Sequence, residues 1–109
     1  MAEPAPNAAI GALEKTLGAE STRELVRLFL TEFQDSIRAM RTAAPEEQLR
    51  LAHGMKSSAR HMGADGLSMR MAALEARLLA KGAAIDQDDL GNAARDFGAV
   101  EPALRKYAG

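Results

Sequence analysis

Residues 51–64 read Leu-Ala-His-Gly-Met-Lys-Ser-Ser-Ala-Arg-His-Met-Gly-Ala, with the spacing of an amphipathic helix. At roughly 100° per residue, apolar side chains gather within about 60° of Met55, at Leu51, Ala52, Ala59 and Met62. His53 falls about 160° from Met55, on the opposite face. The stretch therefore predicts a helix that buries its apolar face and presents one histidine to solvent.

Polar side chains surround this histidine. Arg60, seven residues on, points in the same direction, while Ser57 and Lys56 are close neighbours on the helix surface. Cations beside an imidazole favour its neutral, nucleophilic form, and they stabilise negative charge added to the ring. Helical phase alone leaves an inert surface histidine about equally compatible, but the neighbouring side chains favour phosphoryl chemistry.

Helical patterns also flank this stretch. We expect helices over about 7–17, from a cap at Ser21 or Thr22 to about 42, over 45–62, over 66–81, and from Asp86 or Asp88 towards 107. Gly18, Gly63 and Gly82 mark helix ends, and Lys81 suits the end of the fourth helix. Pro102 should kink or split the last helix near Gly98.

The fold predicted from these patterns is all-α: an antiparallel four-helix bundle with an additional short N-terminal helix. The 109 residues form a single domain, with residues 1–6 expected to be frayed. Aromatic residues make up only 4% of the chain and β-branched residues are scarce, which disfavours strands. The expected core stripes include Leu25, Leu28 and Phe33 in the second helix and Ala94 and Phe97 in the last.

Composition excludes several classes of protein. Hydrophobic residues at 47% and charged residues at 27% are ordinary for a folded domain, and a net charge of −1 gives no basic field for nucleic acid. The chain has no cysteine, so it holds no disulfide, thiolate metal site or cysteine nucleophile. No run approaches the roughly 20 apolar residues of a membrane span, and residues 1–7 do not resemble a signal peptide. We expect a cytoplasmic location.

Other residues have simpler interpretations. His61 lacks the nearby partner that a helical zinc site needs, so a metal role is disfavoured. Leu49 is expected to be covered by the first short helix. The methionines are expected to fill the core, at Met55, Met62, Met69 and Met71.

The residue pattern resembles that of the histidine phosphotransfer family. The family pattern is His-x-Leu-Lys-Gly followed by Ser or Ala, then Gly-Ala, a Leu, and Cys-x-x-Leu-Glu. The matching residues here are His53, Met55, Lys56, Ser58, Gly63, Ala64, Leu67, Met71, Leu74 and Glu75. The motif covers about 25 residues, and the helical layout extends the resemblance over most of the chain.

This resemblance implies a phosphorelay intermediate. His53 corresponds to the histidine that accepts a phosphoryl group from an aspartate of one receiver domain and passes it to another. Lys56 corresponds to the lysine that supports the phosphoryl group. Glu75 corresponds to a fourth-helix residue that can accept a hydrogen bond from the ring. Gly63 and Ala64 correspond to a turn where small residues let two helices pack closely.

The sequence departs from the family pattern beside the histidine. Ser57 replaces the usual Gly, and its hydroxyl either crowds the imidazole or hydrogen-bonds the phosphoryl oxygens. Met55 and Met71 replace Leu and Cys, which are tolerable core substitutions. Gly54 costs about 1 kcal/mol in a helix, and it either lets a partner approach closely or has no role.

The expected partners are response-regulator receiver domains and a hybrid sensor histidine kinase. No nucleotide-binding motif is present, so the domain is not an enzyme and has no cofactor of its own; Mg²⁺ should come from the receiver. The predicted docking patch contains His53, Ser57, Arg60 and Leu49, with Ile10 or Leu13 from the first helix. We expect a monomer. The alternatives are a degenerate bundle acting only as an interaction scaffold and a dimerising part of a kinase, which the retained motif and the short chain disfavour.

Overall fold

The computed structural model describes residues 3–80 and 84–109, and within them it contains helices and no strands. The helices are α1 (Ala8–Leu17), α2 (Ala19–Met40), α3 (Pro45–His61), α4 (Asp65–Leu79) and α5 (Gln87–Ala108). The all-α prediction is therefore confirmed. The predicted roles of Lys81 and Gly82 at the end of the fourth helix lie outside the described residues.

Two helix starts are capped by side chains. The Oδ1 atom of Asn7 accepts a hydrogen bond from the Ile10 amide at 2.9 Å, which begins α1. Asp86 caps α5 through a reciprocal pair of hydrogen bonds with Asp89. The last helix therefore opens at Asp86, one of its two predicted caps.

The start of α2 differs from the prediction. Gly18 has a φ of 85°, a conformation that glycine adopts easily, and α2 begins at the next residue. The predicted cap at Ser21 or Thr22 is therefore wrong, because the chain reverses at Gly18 alone. Thr22 is buried, and its hydroxyl donates to the Gly18 carbonyl at 2.7 Å.

Helix α5 continues through Pro102, so the predicted division near Gly98 is wrong. Proline removes one N–H donor and crowds the carbonyl four residues earlier. Both Pro102 and Gly98 are exposed, so water can satisfy the free carbonyl, and Gly98 has no side chain to add to the crowding.

The core lies among the four longer helices. Its aromatic centre is formed by Phe29, Phe33 and Phe97, and the rings of Phe33 and Phe97 stack with centroids 5.0 Å apart. The rest of the core comprises Tyr107 and non-aromatic side chains, including Val26, Leu30, Ile37, Met40, Met55, Met62, Leu67, Met71, Leu74, Leu90 and Leu104. Each long helix contributes most of its predicted apolar stripe to this core.

Some core predictions are wrong. Leu25 and Leu28 of α2 are 38% and 50% exposed, and Met69 of α4 is 73% exposed. In α5 Ala93 is buried, whereas the neighbouring Ala94 is exposed. These side chains lie at the edges of their helical stripes, where burial depends on how close the next helix comes.

The helices are arranged so that each longer helix has two long neighbours. Helix α3 packs on α4 and α2 packs on α5, while contacts of α2 with α3 and of α4 with α5 close the ring. The buried Gln48 strengthens one end of this ring: its amide nitrogen donates to the Met40 carbonyl at 3.0 Å, and its oxygen accepts from the Ile85 amide at 3.2 Å.

Helix α1 packs on α2. The Nδ2 atom of Asn7 donates to the Met62 carbonyl at the C-terminal end of α3, at 2.9 Å. Leu49 lies near the other end of α3, about 20 Å away along the helix axis, so the prediction that α1 covers Leu49 is wrong. Of the residues expected to be frayed, Ala5 packs against the core.

Candidate functional site

His53 stands on the outer surface of α3, with 65% of its side chain exposed. Its Nδ1 atom lies 2.6 Å from Oε2 of Glu75 on α4, whose side chain is only 14% exposed. The structure thus brings together two residues that are 22 positions apart in the sequence. The opposite ring nitrogen, Nε2, is the one left available to a partner.

Lys56 binds the other oxygen of the same carboxylate. Its Nζ atom donates to Oε1 of Glu75 at 2.6 Å. Lys56 was expected to be exposed, but only 28% of its side chain is exposed, and its ammonium group binds Glu75 on the neighbouring helix α4. In this state its ammonium group is paired with a carboxylate.

Glu75 is held in its ionised form by these contacts. The hydrogen bond from Lys56 is the largest influence that lowers the pKa of the Glu75 carboxyl, followed by the hydrogen bond with His53. An ionised carboxylate can only accept hydrogen bonds, so Nδ1 of His53 must donate. In the neutral ring this leaves the lone pair on Nε2, which points away from Glu75.

Helices α3 and α4 are joined closely beneath the three side chains. Ser68 of α4 is buried, and its hydroxyl donates to the Lys56 carbonyl at 3.0 Å. This hydrogen bond fixes the axial position of α4 relative to α3, and it therefore places Glu75 opposite His53. Sequence reasoning missed Ser68; its only signal is its place beside Leu67 on the buried side of α4.

Ser57 and Arg60 complete the surface around His53. Ser57 is half-buried and Arg60 is exposed, and neither side chain forms a hydrogen bond or ion pair within residues 3–80 and 84–109. Arg60 lines a shallow groove between α3 and α4 together with Lys56 and Met69. Both side chains are therefore available to added groups.

Gly54 leaves open space on the α2 side of His53. A Cβ atom at this position would meet nothing within 4 Å, so packing does not require glycine here. Gly54 instead lines the groove between α2 and α3, together with Phe29, Glu32 and Ser58.

The docking residues expected from α1 separate into two kinds. Ile10 is fully buried in the core, so its predicted contact with a partner is wrong: the face of α1 that carries it packs inward. Leu13 is half-buried and lines an apolar groove with Leu25, Leu28 and His61. His61 belongs to no cluster of three or more His, Cys, Asp or Glu side chains in the described part of the chain.

Gly63 has a role that differs from simple close packing of helices. Its φ is 75°, and a Cβ atom there would lie 2.5 Å from Cγ of Asn7. The missing side chain therefore makes room for the Asn7 amide, which bonds the preceding residue, Met62. Asn7 was not singled out from the sequence, although its position before a helical pattern is typical of a cap.

No helix in the described ranges, 3–80 and 84–109, is both long and apolar enough to span a membrane. Comparison with curated proteins and with solved structures gives no match. A family model described as Hpt domain matches residues 24–105, about three quarters of the chain. The matched region contains His53, Lys56 and Glu75, the three side chains that the structure joins. This chain is therefore a member of the Hpt domain family, whose members are phosphocarriers of histidine phosphotransfer signalling rather than enzymes.

Proposed function

We propose that the protein is a phosphorelay intermediate that carries a phosphoryl group on Nε2 of His53. The single observation that supports this most strongly is the 2.6 Å contact between Nδ1 of His53 and Glu75, combined with an exposed ring. That contact selects the tautomer whose nucleophilic nitrogen faces solvent. A histidine with only a structural role would not need an exposed, oriented Nε2 atom.

In the transfer step, the Nε2 lone pair attacks the phosphorus of an aspartyl phosphate on a receiver domain. The N–P bond forms, the P–O bond to the aspartate breaks, and the carboxylate departs with the electron pair. The ring becomes positively charged as this happens, and Glu75 stabilises it through Nδ1–H. The reverse step on a second receiver restores the lone pair.

Lys56 has a double role in this proposal. While His53 is unmodified, Lys56 balances the charge of Glu75, so the incoming phosphoryl group does not meet an uncompensated carboxylate. Once the phosphoryl group is attached, the ammonium group is close enough on the same helix face to attract its oxygens. Arg60 adds a second positive charge at this surface, and Ser57 lies beside the ring.

The partners in this proposal are receiver domains of response regulators and a hybrid sensor histidine kinase. The receiver supplies Mg²⁺ and most of the catalytic machinery, and this chain supplies no cofactor. We further propose that the protein acts as a cytoplasmic monomer and that its four longer helices form an antiparallel bundle. The closed ring of helix contacts supports the bundle.

The test is incubation with a receiver domain that carries a radiolabelled phosphoryl group. We expect label to move to the chain, to be lost in acid and retained in base, and to be absent from His53→Gln. His61→Gln is the matched control, because His61 lies on the same helix but makes no contact with Glu75. Label that persists in His53→Gln, or no transfer from any receiver tested, would support a scaffold role instead.

A further inference from the structure

The N-terminal cap of α1 is also a tether to the helix that carries His53. The Asn7 side chain accepts from the Ile10 amide through Oδ1 and donates to the Met62 carbonyl through Nδ2, each at 2.9 Å. One amide group therefore begins α1 and attaches it to the last turn of α3. We refer to these two hydrogen bonds as the Asn7 clip.

The surroundings of the clip are shaped to hold it. Gly63 has no side chain where a Cβ atom would approach Oδ1 and Nδ2 of Asn7 to 2.5 and 2.6 Å. The first turn of α1 buries Ile10 completely. At the other end of α1, Tyr107 donates to Glu14 at 2.5 Å, which ties that end to α5. Within residues 3–80 and 84–109, the clip is the hydrogen-bonded link between the start of α1 and helix α3.

Helix α1 forms one wall of an apolar groove. The groove has a volume of about 270 Å³, and its lining includes Leu13 of α1, Leu25 and Leu28 of α2, and His61 and Met62 of α3. Leu25 and Leu28 expose a large part of their apolar surface here. Exposed leucines that line a groove are typical of an interaction surface.

The distance from His53 indicates what covers this groove. Ser58 and His61 line the groove and lie only about 8 and 12 Å from His53 along the axis of α3. An interface of standard size buries about 800 Å² on each partner, which is the area of a disc with a radius of about 16 Å. A receiver domain centred on His53 therefore reaches the groove.

The surface on the opposite side of His53 is less suitable for contact with an apolar surface of a partner. The groove between α3 and α4 contains the cationic side chains of Lys56 and Arg60 beside Asp65. Cations at this flank suit the acidic phosphorylation site of a receiver, whereas the leucines of the α1 side suit an apolar helix face. The α3–α4 side thus provides charged contacts with the receiver, and the α1 side provides apolar contacts.

We propose that Asn7 is a positioning residue for partner docking: the Asn7 clip fixes α1 as the outer wall of the groove that receives an apolar helix face of the receiver domain. This inference rests on the proposed function, since it takes a receiver as the partner at His53. It adds a residue that precedes the matched family region, residues 24–105. Asn7 acts through the placement of Leu13 and touches no reacting atom.

The test separates capping from tethering. Asn7→Asp keeps an oxygen that can cap the Ile10 amide but has no N–H for the Met62 carbonyl, and Asn7→Ala removes both hydrogen bonds. We expect both variants to raise the receiver concentration for half-maximal transfer several-fold while leaving the maximal rate nearly unchanged. Labelling of His53 by phosphoramidate, a small donor that needs no docking surface, should be unaffected. Thr16→Ala, an exposed change in α1, is the control and should behave as wild type.

A second pair of variants tests the groove itself. Leu28→Ala should raise the half-saturating receiver concentration, whereas Leu17→Ala, which removes another exposed leucine that does not line the groove, should not. An unchanged half-saturating concentration in Asn7→Asp or in Leu28→Ala would overturn the inference. The inference would also be overturned if sedimentation showed that the protein is a dimer and that Leu28→Ala dissociates it. Failure of wild type to accept label would overturn the proposed function as well, while intact transfer in wild type and Asn7→Asp alike would overturn only the role of Asn7.

Discussion

Glu75 accepts a hydrogen bond from Nδ1 of His53 and, through its second oxygen, another from Lys56, both at 2.6 Å. The carboxylate therefore fixes the ring and is itself charge-balanced. We expect Glu75→Ala to lower the transfer rate by about 10- to 150-fold, because a hydrogen bond to a charged group contributes about 1.5–3 kcal/mol. Nitrogen-15 NMR should show a shift in the tautomer balance of His53 in this variant.

Glu75→Gln is the control for geometry. Its amide oxygen can still accept from Nδ1, so the rate should lie between those of wild type and Glu75→Ala. A Glu75→Ala protein that transfers at the wild-type rate would exclude the carboxylate from the mechanism.

Lys56→Ala should shorten the lifetime of the phosphorylated form and slow transfer several-fold, without complete loss. The lysine is partly exposed, and charge interactions of this kind contribute of order 1 kcal/mol. The structure adds a further expectation: removal of Lys56 leaves the half-buried Glu75 without its ammonium partner, so the melting temperature should fall by a few degrees.

Thermal unfolding and the decay of the phosphoryl group measure the two effects separately. Lys15→Ala, a change of an exposed lysine on α1, serves as the comparison. Equal phosphoryl lifetimes in Lys56→Ala and in wild type would leave Lys56 with a structural role only.

Ser57→Gly should increase the transfer rate. Ser57 is half-buried beside His53, and within the described residues its hydroxyl has no hydrogen-bond partner that would require it. We therefore expect mild crowding of the incoming receiver, which glycine relieves at a cost of about 0.5 kcal/mol in helix stability. Measured lifetimes of the phosphorylated form should be the same in Ser57→Gly, Ser57→Ala and wild type. Shorter lifetimes in both variants would instead make the hydroxyl a phosphoryl ligand.

The raised pKa of Tyr107 predicts how the stability of the protein changes at alkaline pH. Burial first, and then the hydrogen bond to Glu14, raises the pKa of the Tyr107 hydroxyl to about 12. The folded state therefore favours the neutral phenol, and this contribution is complete below about pH 10, the pKa of an ordinary tyrosine, and is lost as the pH rises towards 12. Chemical denaturation at several pH values should show a steeper alkaline loss of stability in wild type than in Tyr107→Phe. Parallel profiles would contradict this prediction.

The phase of α3 was predictable because one helix carries both signals. Its apolar stripe predicts that Met55 is buried and that His53 is exposed without reference to any other helix. The structure confirms both predictions. The pairing of Glu75 with His53 came only from the family pattern, since periodicity does not tell which residues of two helices face each other.

Predictions failed where burial depends on the distance to a neighbouring helix. Leu25 and Leu28 have the spacing of core residues, but they lie in a groove that is lined by α1, α2 and α3 and left uncovered. Asn7 and Gly63 illustrate the same limit. The sequence does not show that the turn at Gly63 leaves room for the Asn7 side chain, or that the Asn7 amide reaches the Met62 carbonyl.

The buried Gln48 makes one end of the protein open as a single unit. Its amide group is bonded to backbone atoms of Met40 and Ile85, so the last turn of α2, the start of α3 and the segment before α5 must open together. The Ile85 amide lies outside any helix, yet its hydrogen should exchange with solvent as slowly as those of the interior. At the opposite end, α1 is held by the Asn7 clip, by the hydrogen bond from Tyr107 to Glu14 and by the burial of Ile10. Helix α3 is therefore tied near its start by Gln48 and at its end by Asn7, so that His53 is presented on a rigid surface.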